Sequence, residues 1–143
     1  MAAERADSFD DALRGYHEGM TWARFDVAAT HVPPKERAQF VDDWDERSKD
    51  VKITEYDIVK VTQRGTHEAK VEIKLEWYRE SQGTVHETRV LETWELQGKL
   101  WLVVEEARVR GEPMPGLPEP AAKEQTSEGL GRRGSGLGLG SGT

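Results

Sequence analysis

Glu68-Ala69-Lys70-Val71-Glu72-Ile73-Lys74-Leu75-Glu76-Trp77 decides the fold. Apolar and charged side chains alternate at every step, so Ala69, Val71, Ile73, Leu75 and Trp77 share one face. An extended chain points successive side chains to opposite faces, whereas a helix would scatter both classes around its circumference. The segment therefore reads as a β-strand with one packed face and one wet face. Outward from it, Arg64-Gly65, Gln82-Gly83 and Gln97-Gly98 break the chain into four strands, about 51–62, 67–79, 84–96 and 99–108. Loops this short force antiparallel neighbours, a β-meander. In the first strand Val51 and Ile53 share one parity, Tyr56 and Ile58 the other, and Val59 and Val61 return to the first. A bulge near Glu55–Asp57 would reconcile them. In the last strand Leu100, Leu102 and Val104 alternate with Trp101 and Val103, which makes it apolar on both faces. Its second face fits a helix, the tail or a second copy of the chain, so a homodimer through the sheet is one expected association.

Upstream of Val51 the rhythm is three to four. Ser8-Phe9-Asp10-Asp11 has the form of a capping box. Phe9, Ala12, Leu13, Tyr16 and Met20 then make one apolar stripe. Thr21 is placed to cap a second short helix over about 22–30. Pro33-Pro34 ends it and opens a third, in which Arg37, Phe40, Val41 and Trp44 share a face. The expected fold class is α+β: two to three N-terminal helices packed on a curved four-stranded antiparallel meander. All eleven aromatic residues lie between Phe9 and Trp101, while seven of the fourteen glycines lie between Gly129 and Gly142. Residues 1–7 are thus expected to be a flexible N-terminus, 8–110 the domain and 111–143 a Pro/Gly-rich disordered tail. Such a tail buries too little apolar surface to offset the entropy of ordering it.

The formal charge is −7. Glu119, Glu124 and Glu128 balance Lys123, Arg132 and Arg133, so the domain carries the whole excess. An acidic domain with no basic face repels phosphate backbones, which argues against a nucleic-acid partner. Without cysteine there is no disulfide, thiolate or Cys-zinc chemistry. The longest strongly apolar run, Leu100–Val104, is far short of a transmembrane segment. Met1–Asp7 lacks the apolar stretch of a signal peptide.

Few motifs carry chemistry. Gly129-Leu130-Gly131-Arg132-Arg133-Gly134 matches a dinucleotide fingerprint, but no strand precedes it and no helix follows, so it reads as low-complexity tail. Asp42, Asp43, Asp45 and Glu46 would fan outward on a helix, whereas calcium needs oxygens converging from a loop. His17, His31, His67 and His86 show no metal spacing and read as surface or boundary residues. No metal, cofactor or catalytic residue is expected. The one arrangement with a polar core is the third strand, where His86 and Glu92 share parity with Val90 and Trp94. A buried Glu92 would need a partner or a raised pKa. Tyr16, Trp77, His86, Glu92 and Trp94 are therefore the candidate pocket residues.

Helices first, then long strands ending in a Trp-rich hairpin, resembles the nuclear transport factor 2-like superfamily. The likeness is carried by Trp22-Ala23-Arg24-Phe25-Asp26-Val27-Ala28-Ala29 and by Trp94 followed by Gln97-Gly98-Lys99-Leu100-Trp101. It implies a cystatin-like cone, and it is similar most of all to small bacterial envelope proteins made with a lipoprotein signal. A processed envelope lipoprotein is the localisation implied, with the cytoplasm as the alternative. The expected function is a non-catalytic binding or interaction module that seats a small apolar ligand or a protein partner on the concave sheet. Two alternatives stand beside it. One is an isomerase- or dehydratase-type enzyme with His86 or Glu92 as general base; the other is a structural accessory subunit.

Overall fold

Ser8 starts the first helix as a capping residue should, its hydroxyl oxygen accepting the Asp11 N–H at 3.0 Å. In the computed structural model, which describes residues 8–118, helix α1 spans Phe9–Thr21 and buries Ala12, Leu13, Tyr16, His17 and Met20. The expected flexible N-terminus and most of the expected disordered tail, residues 1–7 and 119–143, lie outside the described residues. Thr21 closes α1 instead of capping the next helix. Ala23 turns the chain at φ 58°, and α2 covers only Phe25–Ala28 before a 3-10 turn at Ala29–His31. Gly19 lets α1 and α2 meet, since a Cβ there would stand 3.0 Å from the Ala28 nitrogen. A second 3-10 turn, Pro34–Glu36, leads into α3, Arg37–Arg47. Trp44 is buried and Phe40 half-buried, while Asp42, Asp43, Asp45 and Glu46 all face solvent.

The period then becomes two. Strands β1 (Val51–Arg64), β2 (Glu68–Arg79), β3 (Val85–Gln97) and β4 (Leu100–Gly111) form one antiparallel sheet in the order β1-β2-β3-β4. In β2 the alternation is realised in full: Ala69, Val71, Ile73, Leu75 and Trp77 are buried, and the charged residues between them are half-exposed. In β1 the register shifts twice, between Ile53 and Glu55 and again between Ile58 and Lys60. One bulge near Glu55–Asp57 would correct parity once, but the chain changes parity twice. Each extra residue bends the strand further around the helices.

Trp94 is the centre of the core. It is fully buried, with Phe9 edge-on at 5.6 Å and Tyr16 edge-on at 5.7 Å. Trp22 is the exception among the aromatics, 71 % exposed at the turn after α1. No helix among the described residues is long and apolar enough to cross a membrane.

The folded chain does not stop at Arg110, where the sequence places the domain end. Gly111, at φ 86°, turns it back against β3; a Cβ there would lie 2.5 Å from the Glu87 carbonyl oxygen. The Glu112 N–H donates to that oxygen at 3.0 Å, and Thr88 Oγ1 donates to the Glu112 carbonyl at 2.6 Å. Arg108 N–H donates to the Pro118 carbonyl at 3.2 Å, so residues 112–118 form a strap beside β4. Met114 is buried and Leu117 packs on the core. Two apolar side chains among prolines suffice here, because proline lowers the entropy that ordering must overcome.

Candidate functional site

Glu92 and Glu106 stand directly opposite each other on β3 and β4. Both turn toward α1, which sets Tyr16 and His17 against them. The Tyr16 hydroxyl donates to Glu106 Oε1 at 2.9 Å, and Trp94 Nε1–H donates to Glu92 Oε1 at 2.9 Å. His17 Nε2 approaches Glu92 Oε2 at 2.8 Å, but out of line for a hydrogen bond, so both atoms remain unsatisfied. The side chains of Glu92 and His17 are 0 % and 3 % exposed. The His17 ring stacks on Tyr56 at 5.2 Å.

Burial sets the protonation of this cluster. It raises the Glu92 carboxyl to about 7, with hydrogen bonds from Glu106 and Trp94 holding it back. Burial, and then the adjacent Glu92, push Glu106 well above the carboxylate range against the pull of His17 and Tyr16. Burial lowers His17 to about 4, partly countered by Glu106, and drives the Tyr16 phenol well above its ordinary value. The two carboxyls face each other across the strand pair and titrate as one coupled unit that retains a proton. Near neutral pH the cluster is thus a carboxyl pair sharing a proton beside a neutral imidazole.

Space is distributed unevenly around it. The interior between α1, the sheet and the strap leaves a cavity of only about 10 Å³, with Met114 and Leu117 closing it beside Tyr16 and His17. Along the free edge of β4 a groove of about 810 Å³ opens to solvent, between α3 and the strap. Phe40 and Trp44 wall it on the helix side, Val103 and Ala107 on the strand side, and Tyr16 and Glu106 reach it from the core. Glu106, with Tyr16 bonded to it, therefore joins the buried cluster to the groove.

The candidate residues from the sequence fall into two places. Tyr16, Glu92 and Trp94 belong to this cluster. Trp77 and His86 pair across β2 and β3, with rings 4.6 Å apart, and Trp77 Nε1–H donates to Thr88 Oγ1 at 2.9 Å. His86 lies six residues from Glu92, about 20 Å along an extended strand. His17, read from the sequence as a surface or boundary residue, is instead buried at 2 % exposure, and Glu106 is a member the sequence does not single out. His17 sits four residues after Leu13 and so shares its helix face. Glu106 turns inward because the β3–β4 register shifts between Thr93 and Trp94, leaving Val104 as an extra residue. The adjacent apolar pair Val103-Val104 is its only sequence trace. Among the described residues no group of three or more His, Asp or Glu side chains is placed to hold a metal ion.

No protein-family model matches the chain, and no curated protein matches it. Two solved structures are similar. A SEC-C motif-containing protein from Rhodopseudomonas palustris superposes with a TM-score of 0.61 at 16 % identity, over 72 % of this chain and 80 % of that one. A ketosteroid isomerase-like protein from Erwinia carotovora atroseptica superposes with a TM-score of 0.58 at 13 % identity, over 71 % of this chain and 93 % of that one. Likeness at these identities is likeness of fold: N-terminal helices packed on an open antiparallel sheet.

Proposed function

We propose that the protein is a small-molecule binding module that seats its ligand in the groove between α3 and β4. The observation that carries this is the groove itself, about 810 Å³ with apolar walls and the Tyr16–Glu106 hydrogen bond at its floor. Binding sites are typically clefts of this size, mostly apolar, with a few convergent polar groups of perturbed pKa. The seat lies at the sheet edge, because α1 and the strap already fill the concave face.

A proton-transfer enzyme is the second reading, favoured by the shared proton of the carboxyl pair. A general acid or base must stand within hydrogen-bond reach of its substrate. That requirement selects Glu106, which reaches the groove, over Glu92 behind it and His86 far along β3.

Nile red, a neutral apolar dye, tests the first reading. Wild-type protein should bind it with a Kd of about micromolar order, and Phe40→Asp should weaken binding about tenfold, the equivalent of ~1.4 kcal/mol. No binding, or equal binding by Phe40→Asp, would remove the groove from consideration. In the same preparation, absorbance growth from a β,γ-unsaturated ketone that disappears in Glu106→Gln would favour the enzyme.

A further inference from the structure

We propose that the groove beside β4 selects a hydrophobic amine, holding its ammonium end at Glu106 and its apolar body along Phe40 and Trp44. This rests on the groove being a ligand site and adds the chemistry of the ligand. Charge complementarity is the first argument. Glu36, Glu105 and Glu106 line the groove against a single cation, Lys70, whose ammonium is turned to Thr93 Oγ1 at 2.8 Å. A carboxylate or phosphate ligand would meet repulsion at both rim and floor.

The walls add a second argument. Tyr16, Phe40 and Trp44 are aromatic, and ring faces attract cations. Trp44 already does so within the chain, with the Arg47 guanidinium carbon 4.6 Å from its ring centre. Arg47 and the stacked Phe25 already engage the Trp44 ring, so an alkylammonium entering the groove would find apolar contact there for its chain, with its charge at Glu106.

Glu106 is the third. The groups facing it are Tyr16 and His17 from α1, Glu92 from β3, and Met114 and Leu117 of the strap. None is a cation at neutral pH, since burial holds the His17 ring neutral. A carboxylate offers about four acceptor sites, and the Tyr16 hydroxyl takes one. An arriving ammonium would supply the positive charge this cluster lacks and displace the proton held by the carboxyl pair. Binding would then release a proton, so affinity for the amine must rise with pH while affinity for a neutral analogue stays level.

Calorimetric titration of the full chain with octylammonium chloride, 1-octanol and sodium octanoate tests this. Octylammonium should bind about tenfold more tightly than octanol, with octanoate weakest, and its affinity should climb as the pH is raised. Glu106→Gln, nearly isosteric, should bring octylammonium and octanol to within about threefold of each other. Glu36→Gln on the exposed rim, which cannot disturb the core, should weaken octylammonium and blunt its salt dependence without affecting octanol. Octanol or octanoate binding as tightly as the amine would overturn the proposal. An amine preference surviving in Glu106→Gln would do the same. If Nile red binds but the amine shows no preference, the groove stands and only the ligand class falls. If nothing binds, the groove itself is wrong.

Discussion

Replacing Glu92 by glutamine should stabilise the protein near pH 8 and leave it almost unchanged near pH 5. Burial lifts this carboxyl from its ordinary 4.5 to about 7. A carboxyl with a raised folded pKa keeps its proton longer in the fold than in the unfolded chain. The stabilisation is full below about pH 4.5 and is lost as pH rises to about 7. The gap between the two values corresponds to about 3 kcal/mol, lost from the wild type by pH 8. An amide escapes that loss because it cannot ionise. Its carbonyl can keep the Trp94 indole bond, now 2.9 Å, and its NH2 would stand where Oε2 meets His17 Nε2 at 2.8 Å. The lone pair of a neutral imidazole lies on the same axis as its N–H, so the off-line His17 contact gains nothing and the effect is that of removing the ionisable group. Allowing for repacking, the expected gain is about 1–3 kcal/mol at pH 8, or roughly 5–15 °C in melting temperature for a domain of this size. Thermal melts followed by circular dichroism at both pH values measure it. A lower melting temperature at pH 8, or an equal shift at both, would show that Glu92 is not the ionising group that limits stability.

His17 should give the opposite pH dependence. Its folded pKa of about 4 lies below the ordinary 6.5, so the stability it confers is present above pH 6.5 and lost as pH falls to about 4. The cost of His17→Gln should therefore shrink by about 2–3 kcal/mol between pH 7 and pH 4 in urea unfolding, and a constant cost would contradict a buried neutral ring. Met114, 4 % exposed, plugs the space beside Tyr16. Met114→Ala should cost about 2–4 kcal/mol in the same assay, against under 0.5 kcal/mol for a strap that merely lies on the surface.

What the sequence discloses here is decided by local physics, and what it conceals is decided by register. The β2 alternation and the α1 stripe need no knowledge of partners, because strand and helix periods fix which side chains share a face. Glu92 and Trp94 are two apart on one strand, so their common face is legible too. Depth is not: Trp77 and His86 have the right parity yet lie at the other end of the sheet from Glu92. Glu106 is hidden more thoroughly, since unbroken alternation from Trp101 and Val103 would turn Glu105 inward instead. Only the extra residue at Val104, a property of the β3–β4 pairing, reverses this. The strap is concealed by its composition, since Pro- and Gly-rich chain reads as tail until a surface exists to receive Met114. The concealed parts are also those that break the general rules of stability. Two carboxyls set opposite each other and buried are destabilising, and an apolar pair of similar size would pack there without the loss. Sites where a sequence departs from local consistency without a packing gain are where function is expected. That cost is the physical ground for placing function at Glu106, the one member of the pair that opens onto the groove.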